Sequence, residues 1–248
     1  MISAESLLEI FINRPQRYRL LTRGWCEWMA SSDTTSMDPI LEIGCAYGDA
    51  SAYLASAYGL VAYGLDQNQV SIEEAKRRHR EMIYAKKLHF LHGDAETLPF
   101  PPEHFAGAVM EASFSPLIDK TASSNALFRV LKRGGRILLN DFATRESIRT
   151  SEARCSNVPC FQGVETMEEY RERFESAGFT TIHMKEEHGE LVHVALWLAK
   201  SLKVPLSDIE KILSVPSSAE DGLAENSPDR NSKNKLKLTY CQMVFEKE

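Results

Sequence analysis

Three acidic residues, each close to the end of a predicted strand, are the side chains of this sequence best placed to do chemistry. Glu42 ends an apolar strand, Asp66 ends the next strand 24 residues later, and Asp94 follows a third. Ionised carboxylates only accept hydrogen bonds, so Glu42 suits an ammonium group, Asp66 the hydroxyls of a ribose and Asp94 the amino group of adenine. Together they indicate a site for a nucleoside that carries an amino acid.

A glycine-containing turn lies directly after the first of these acids. In the stretch Glu42-Ile43-Gly44-Cys45-Ala46-Tyr47-Gly48-Asp49, the two glycines let the backbone approach a ligand closely, and the helix that follows offers free N–H groups. Dinucleotide-binding proteins space these glycines as G-x-G-x-x-G and place a pyrophosphate there. Here the spacing is Gly44-x-x-x-Gly48, and Glu42 would repel a pyrophosphate. The turn therefore disfavours NAD and nucleotide sugars.

Strands that alternate with helices must position this turn. The strands are predicted at residues 39–43, 60–65, 88–92, 106–110, 136–140 and 180–185, and the helices at 50–58, 71–87, 122–131 and 166–177. Capping boxes of the form Ser/Thr-x-x-Glu begin two of these helices, at Ser71 and at Thr166. The alternation predicts a doubly wound α/β fold with a mostly parallel sheet, which binds ligands at the carboxyl ends of its strands.

Four segments divide the chain: an N-terminal helical cap, a core, an insertion and a terminal strand. They cover residues 1–37, 38–185, 186–234 and 235–248. The insertion begins with a helix predicted from Glu190 to about Leu213 and continues as a polar, mobile loop. The terminal strand is antiparallel if it pairs directly with the sixth strand.

The core segment resembles the class I S-adenosylmethionine-dependent methyltransferases, especially the small-molecule group related to ubiquinone and menaquinone methyltransferases. Residues 42–48 are similar to the family's E/D-x-G-x-G-x-G turn, with Ala46 in place of the middle glycine. Residues 131–135 are similar to its L-K-P-G-G turn, with Arg133 in place of proline. Residues 93–100, G-D-A-E-T-L-P-F, are similar to its G-D-A-x-x-L-P-F segment.

The resemblance implies a fold and an activity. The fold is a Rossmann-like, seven-stranded sheet with a reversed C-terminal hairpin, completed by the terminal strand. The activity is direct, in-line transfer of the methyl group of S-adenosyl-L-methionine to a small-molecule acceptor, which leaves S-adenosyl-L-homocysteine. Because the sulfonium is already a strong electrophile, such a protein mainly positions the two reactants and excludes water.

We expect the cofactor at the turn and at the strand ends, and the acceptor beneath the helical cap. The expected cofactor contacts are Glu42, Gly44, Cys45, Ala46, Gly48, Asp66, Gln67, Asp94, Ala95 and Glu111. The expected acceptor contacts are Tyr18, Ser113, Asp141 and Cys160. No side chain is assigned as a general base or as a metal ligand.

Two other functions stay open at this stage. Cys155 and Cys160 precede a capped helix, where the sequence also resembles arsenite methyltransferases, which hold a thiophilic ion with several thiolates. The further thiolates of such a site are not evident, because Cys26 lies in the cap and Cys241 in the terminal strand. The lack of an evident general base leaves the second alternative, a catalytically silent module that binds the cofactor and regulates a partner.

Composition excludes several other classes of protein. The chain has 248 residues, of which 43% are hydrophobic and 26% charged, and these are the values of a folded globular protein. Its net charge of −6 argues against a protein held mainly by nucleic-acid phosphates. Five cysteines without a Cys-x-x-Cys motif predict neither a disulfide framework nor a zinc ribbon. We expect a cytoplasmic protein with no nucleic-acid or membrane partner, and no sequence feature indicates the oligomeric state.

Overall fold

A computed structural model describes residue 10 and residues 18–30, 38–145, 161–212, 214–216 and 235–248. Eight strands lie in this described part of the chain. They are β1 (Ile40–Ile43), β2 (Ala62–Asp66), β3 (Leu88–His92), β4 (Phe105–Glu111), β5 (Leu131–Thr144), β6 (Phe179–Glu186), β7 (Ser214–Pro216) and β8 (Lys235–Lys247). The expected mobile loop of the insertion and most of the first 17 residues lie outside the described residues.

Seven of the strands form one mixed sheet in the order β3-β2-β1-β4-β5-β8-β6, and β7 pairs with β8. The strands β1 to β5 run parallel to their neighbours among themselves, whereas β8 runs antiparallel to both β5 and β6. The predicted doubly wound sheet with a reversed final hairpin is therefore confirmed. The order of the strands reverses between β1 and β4, which places a topological switch point beside the glycine-containing turn.

Helices cover both faces of this sheet. They are α1 (Arg19–Gly24), α2 (Asp49–Tyr58), α3 (Gln69–Arg78), α4 (Arg80–Tyr84), α5 (Lys120–Val130), α6 (Met167–Ser176), α7 (His188–Leu202) and α8 (Leu206–Ile212). A π-helical turn, Trp25–Met29, continues α1, and a 3₁₀ turn, Ala95–Thr97, follows β3. In the described residues no helix combines the length and the apolar character needed to cross a bilayer.

Three buried apolar clusters hold these layers together. The first packs α5 and α6 against one face of the sheet, and the second packs α1, α2 and α3 against the other. The third joins α7 and α8 to the carboxyl end of β5 and to β8, through residues such as Phe142, Val194, Leu198 and Tyr240. The helical segments at the two ends of the chain thus meet the sheet near the carboxyl ends of its strands.

The predicted capping box at Ser71 is wrong, because the N-cap of α3 lies three residues earlier. The N-cap of α3 is Asn68, whose side-chain Oδ1 accepts hydrogen bonds from the N–H groups of Val70 and Ser71 at 3.0 and 3.2 Å. The single helix predicted over 71–87 is also interrupted at His79, where the backbone leaves the helical region. The second predicted capping box, between Thr166 and Glu169, is confirmed with both of its hydrogen bonds.

Two further boundaries differ from the prediction. The helix expected from Glu190 to Leu213 is split into α7 and α8 at Lys203, which adopts a left-handed conformation two residues before Pro205. The fifth strand is longer than the predicted 136–140, because β5 pairs with β8 as far as Thr144. This extra length decides the surroundings of Asp141, described below.

Candidate functional site

The strand register brings three segments to one level at the carboxyl edge of the sheet. Ile43 of β1 pairs with Leu65 of β2 on one side and with Met110 of β4 on the other. The residues one step further along, Gly44, Asp66 and Glu111, therefore lie beside one another on three adjacent strands. This is the topological switch point of the sheet, where α/β proteins bind their ligands.

The turn after β1 has three residues in the left-handed region of backbone conformation. They are Gly44, Ala46 and Gly48, with φ angles of +69°, +47° and +75°. Glycine adopts this conformation without strain, whereas alanine does not, so Ala46 carries a cost of about 1 kcal/mol. Strained backbone of this kind is concentrated at functional sites.

Protein side chains, rather than open space, face the two glycines of the turn. A Cβ atom on Gly44 would clash with the Cβ of Ser113, and a Cβ on Gly48 would clash with the ring of Phe90. These glycines are therefore required for packing within the protein, and the expected close approach of their backbone to a ligand stays a prediction. Cys45 between them is also buried, and burial together with the charge of Glu42 raises the pKa of its thiol.

Glu42 caps the helix that follows the turn. Only 3% of its surface is exposed, and its Oε2 accepts hydrogen bonds from the backbone N–H of Ser51 at 2.8 Å and from the Ser51 hydroxyl. The N-cap residue itself is Gly48, which has no side chain to supply this bond. The Oε2 of Glu42 is thus bound to α2, and the expected contact of this residue with a ligand stays a prediction.

Asp66 holds the turn from the neighbouring strand. Its Oδ2 accepts from the backbone N–H of Ala46 at 2.8 Å, and its Oδ1 accepts from that of Asn68, also at 2.8 Å. Each carboxylate oxygen can accept two hydrogen bonds, so Asp66 keeps one acceptor position on each oxygen for a ligand. The adjacent Gln67 is exposed, and its carbonyl oxygen lies 3.0 Å from a ring nitrogen of His92.

Glu111 ends β4 on the opposite side of the turn from Asp66. Its side chain is half-buried, and its Oε1 accepts a hydrogen bond from the side-chain amide of Asn140 on β5. The residue after it, Ala112, has a φ of +52° and donates its N–H to the carbonyl of Asn140 at 2.7 Å. Two alanines in the left-handed conformation, Ala46 and Ala112, thus follow β1 and β4 at the same edge of the sheet.

A methyltransferase domain model matches residues 40–135, which contain the turn, Asp66 and Glu111. This segment, fewer than half of the 248 residues, is therefore similar to a methyltransferase domain. Among curated relatives, the fatty-acid O-methyltransferase of Mycolicibacterium smegmatis is 34% identical over 122 residues, which are 48% of this chain and 43% of that protein. The O-methyltransferase resE of Aspergillus sclerotiorum is 23% identical over 219 residues, 87% of this chain and 80% of its own. The chain thus spans less than half the length of the first of these relatives.

Solved structures of very different sequence share the fold. The geranyl diphosphate C-methyltransferase from Streptomyces coelicolor A3(2), in complex with Mg²⁺, geranyl diphosphate and S-adenosyl-L-homocysteine, superposes with a TM-score of 0.72 at 13% identity, over 98% of this chain and 82% of that one. The [4+2]-cyclase SpnF superposes with a TM-score of 0.70 at 18% identity, over 93% and 81% of the two chains. Since one of these two is described as a cyclase, the fold alone does not fix the reaction.

The third predicted acid of the methyltransferase domain lies on the far side of the site. Asp94 is exposed and caps the 3₁₀ turn after β3, where its Oδ1 accepts from the N–H of Glu96 at 2.9 Å. Ala95 beside it is buried. The side chain of Glu96 in turn accepts from the N–H of Asp119 at 2.7 Å, which ties this turn to the start of α5.

Asp141 does not face an acceptor site. It is fully buried, and its carboxylate accepts hydrogen bonds from the N–H groups of Phe114, Ser115 and Phe142 and from the Ser115 hydroxyl, all between 2.7 and 3.0 Å. Burial raises its pKa to about 6, although these hydrogen bonds oppose the rise. The expectation of an acceptor contact is corrected: β5 continues beyond Asn140, so Asp141 lies inside the sheet and orders the turn after β4.

The other expected acceptor contacts are distributed between the turn and the cap. The hydroxyl of Ser113 donates to the carbonyl of Ile43 at 2.7 Å, so it ties the turn after β4 to β1. The ring of Tyr18 stacks on Tyr53 of α2, with 4.4 Å between ring centroids and 8° between planes. Cys160 lies outside the described residues. Within the described residues no group of three or more His, Cys, Asp or Glu side chains could hold a metal ion.

Sequence reasoning missed a group of polar residues behind Glu111. Asn140 and Gln242 are completely buried on neighbouring strands, and the Nε2 of Gln242 donates to the Oδ1 of Asn140 at 2.9 Å. The Oε1 of Gln242 accepts from Arg23 of α1 at 2.7 Å. The available signal was a polar residue beside an apolar stretch in each strand, Asn140 after Leu138-Leu139 and Gln242 before Met243-Val244. This signal by itself indicates no contact between the two residues.

Proposed function

We propose that this chain binds S-adenosyl-L-methionine at the carboxyl edge of β1, β2 and β4 and transfers its methyl group to a small-molecule acceptor. The observation that carries the proposal is the capping of α2 by Glu42. A free helix N-terminus attracts a phosphate, whereas an end that already holds a buried carboxylate favours a ligand with positive charge. The family's cofactor has such a charge on its sulfonium and on its ammonium group.

The residues around the turn suit the parts of this cofactor. Asp66 offers one acceptor position on each oxygen to the two ribose hydroxyls, and the exposed Asp94 offers an acceptor to the adenine amino group. We assign the ammonium group to Glu111 rather than to Glu42, because Glu111 stands beside Gly44 at the edge and is half-buried. When bound, the cofactor supplies an electrophilic methyl group, and the chain supplies orientation and exclusion of water.

The acceptor side of the site lies under the helices of the two chain ends. The apolar cluster that joins α7 and α8 to the end of β5 also includes Leu20 of α1 and packs against Ala112, the residue after Glu111. An apolar skeleton suits this border of the site, and two of the curated relatives are named O-methyltransferases, one of them for fatty acids. We therefore propose an acceptor with an oxygen nucleophile on an apolar skeleton.

Two secondary assignments accompany this proposal. We propose that residues 1–37 and 186–234 form the cap over the core of 38–185, with 235–248 completing the sheet. We also propose a cytoplasmic location, because Cys26, Cys45 and Cys241 are free thiols, as is typical of a reducing compartment. Cell fractionation with an antibody against the chain tests the location.

Calorimetry and product assay test the function. The purified chain should bind S-adenosyl-L-methionine and S-adenosyl-L-homocysteine but not NAD. It should then release S-adenosyl-L-homocysteine when fatty acids, phenols or terpenoid alcohols are supplied. Release with arsenite only, abolished in Cys160→Ser, would favour the thiol-directed alternative. Cofactor binding without release in a complete cell extract would favour the silent module.

A further inference from the structure

We propose that Gln242 and Arg23 are positioning residues that fix the carboxylate of Glu111 through Asn140, and so couple the docking of α1 to binding of the cofactor. The proposal rests on the proposed function, since it assigns Glu111 to the ammonium end of S-adenosyl-L-methionine. The residues involved come from four separate elements: α1, β4, β5 and β8. They are named the polar relay below: Arg23, Gln242, Asn140 and Glu111.

The polar relay is a continuous chain of hydrogen bonds, and the two charged residues at its ends fix the orientation of the two amides between them. Arg23 donates through Nη2 to the Oε1 of Gln242 at 2.7 Å, and Gln242 donates through Nε2 to the Oδ1 of Asn140 at 2.9 Å. Asn140 then donates through Nδ2 to Glu111. A guanidinium can only donate and an ionised carboxylate can only accept, so both ends demand the same orientation of the two amides between them.

The orientation of each amide therefore depends on its neighbour. If Gln242 turned over, its NH₂ group would face the guanidinium of Arg23, and its oxygen would face the Oδ1 of Asn140. Gln242 is further fixed because its Nε2 also donates to the carbonyl of Leu20 at 2.9 Å. Since both amides are completely buried, a mismatch would leave polar groups without partners away from water.

A glycine in α1 allows this helix to approach the sheet closely enough for Arg23 to reach Gln242. Gly24, next to Arg23, lies so close to β5 and β8 that an added Cβ would fall 2.9 Å from Gln242 Nε2 and 2.7 Å from Leu138. Glycine inside a helix costs about 1 kcal/mol relative to alanine, and here it allows the close approach. Arg23 is also held by Glu187, at 2.5 Å, so the end of β6 shares in fixing it.

Coupling follows from this geometry by linkage. When α1 is docked, Arg23 orders both amides and Glu111 receives a donor; when α1 is displaced, the amides are free to turn and Glu111 loses its fixed position. A ligand that binds better to the ordered Glu111 must stabilise the docked α1 to the same extent. Cofactor binding should therefore protect residues 18–30 from hydrogen exchange, although the cofactor lies at the other end of the relay.

The decisive variant is Gln242→Glu, which accepts from Arg23 but donates to nothing. Asn140 must then turn its NH₂ group towards position 242 and its oxygen towards Glu111. Calorimetry with S-adenosyl-L-homocysteine should show binding weakened about tenfold, the equivalent of one hydrogen bond. The milder Gln242→Met, which removes both ends of the amide, should weaken binding about threefold and abolish the protection of residues 18–30 on ligand addition.

Arg136→Met is the matched control. Arg136 donates to the carbonyl of Trp28 at 2.5 Å and so holds the other end of the same N-terminal segment, but it makes no contact with the relay. The affinity of the Arg136→Met variant for S-adenosyl-L-homocysteine should stay within about twofold of the wild-type affinity. If Arg136→Met weakens binding as much as Gln242→Glu, loosening of the cap explains the effect and the relay is wrong.

Arg23→Met supplies a second variant in case Gln242→Glu does not fold. The side chain of Arg23 is partly exposed. When it is removed, Glu187 still forms an ion pair with Lys185, whose Nζ lies 3.3 Å from Glu187 Oε1. It should weaken binding of S-adenosyl-L-homocysteine about threefold. Wild-type affinity in both Arg23→Met and Gln242→Met overturns the relay alone. A wild-type chain that does not bind S-adenosyl-L-homocysteine overturns the proposed function instead.

Discussion

The backbone N–H of Ser51 donates a hydrogen bond of 2.8 Å to the buried carboxylate of Glu42. The acid at the end of β1 thus caps the helix that follows it, and the strand, the turn and α2 are fixed as one unit. The consequence for ligand binding is electrostatic, because the positive end of the helix is already occupied by a negative charge. The site is therefore suited to a cationic cofactor.

Replacing Glu42 with alanine should destabilise the fold by about 2 kcal/mol, because a buried backbone N–H and a buried hydroxyl both lose their acceptor. Urea unfolding measures the change. Ser51→Ala is the control, since it removes the hydroxyl but keeps the backbone bond, and it should cost less than Glu42→Ala. Equal stability of Glu42→Ala and the wild type would contradict the capping role.

Asp66→Ala should weaken binding of S-adenosyl-L-methionine by roughly 1–3 kcal/mol, because the ribose loses its acceptors and the N–H of Ala46 loses its anchor. Isothermal titration calorimetry measures the affinity. Glu73→Ala, an exposed position on α3 that bonds only within that helix in the described structure, serves as the control and should bind like the wild type. Unchanged affinity in Asp66→Ala refutes the ribose assignment.

The alternation of strands and helices was enough to predict the sheet, but not which acids lie at the level of Gly44. Glu42 and Asp66 both come near a strand end in the sequence, yet Glu42 pairs with Gly64 and lies two residues before the level of Gly44, whereas Asp66 lies at that level. Two residues inside the strand, the side chain of Glu42 is buried beneath the following helix, whereas a side chain at the strand end lies at the edge of the sheet. We propose that Glu111, at the same level as Asp66, takes the place that the sequence assigned to Glu42.

Contacts between distant strands were beyond sequence reasoning for a similar physical reason. The predicted fifth strand ended at Asn140, so Asp141 was expected at an open edge. The pairing of β5 with β8, whose residues follow about a hundred positions later, extends the strand and buries Asp141. The same pairing brings Gln242 next to Asn140. No local pattern encodes a partner so far along the chain.

Ala46→Gly should stabilise the protein by about 0.5–1 kcal/mol, because relief of the left-handed alanine outweighs the greater freedom of glycine in the unfolded chain. Thermal unfolding measures the shift. Gly44→Ala is the opposite test. Gly44 has a φ of +69°, which strains an alanine, and an added Cβ would clash with the Cβ of Ser113. This variant should therefore lower the free energy of unfolding by more than 1 kcal/mol. A lower melting temperature for Ala46→Gly would show that the turn needs the methyl group.

The raised pKa of Asp141 makes a prediction about pH. In the folded state burial raises this pKa to about 6, from a usual value of 3.8 in the unfolded chain. Below about pH 4 both the folded and the unfolded state hold this proton. Between about pH 4 and 6 only the folded state holds it, so the free energy of unfolding falls as the pH rises. The total fall from this group is about 3 kcal/mol. Urea unfolding at several pH values measures the slope. Asp141→Asn cannot titrate, so the difference between wild type and variant isolates this contribution, whereas identical slopes would contradict it. Ser115→Ala removes a donor that lowers the pKa, and the decline should then extend to higher pH.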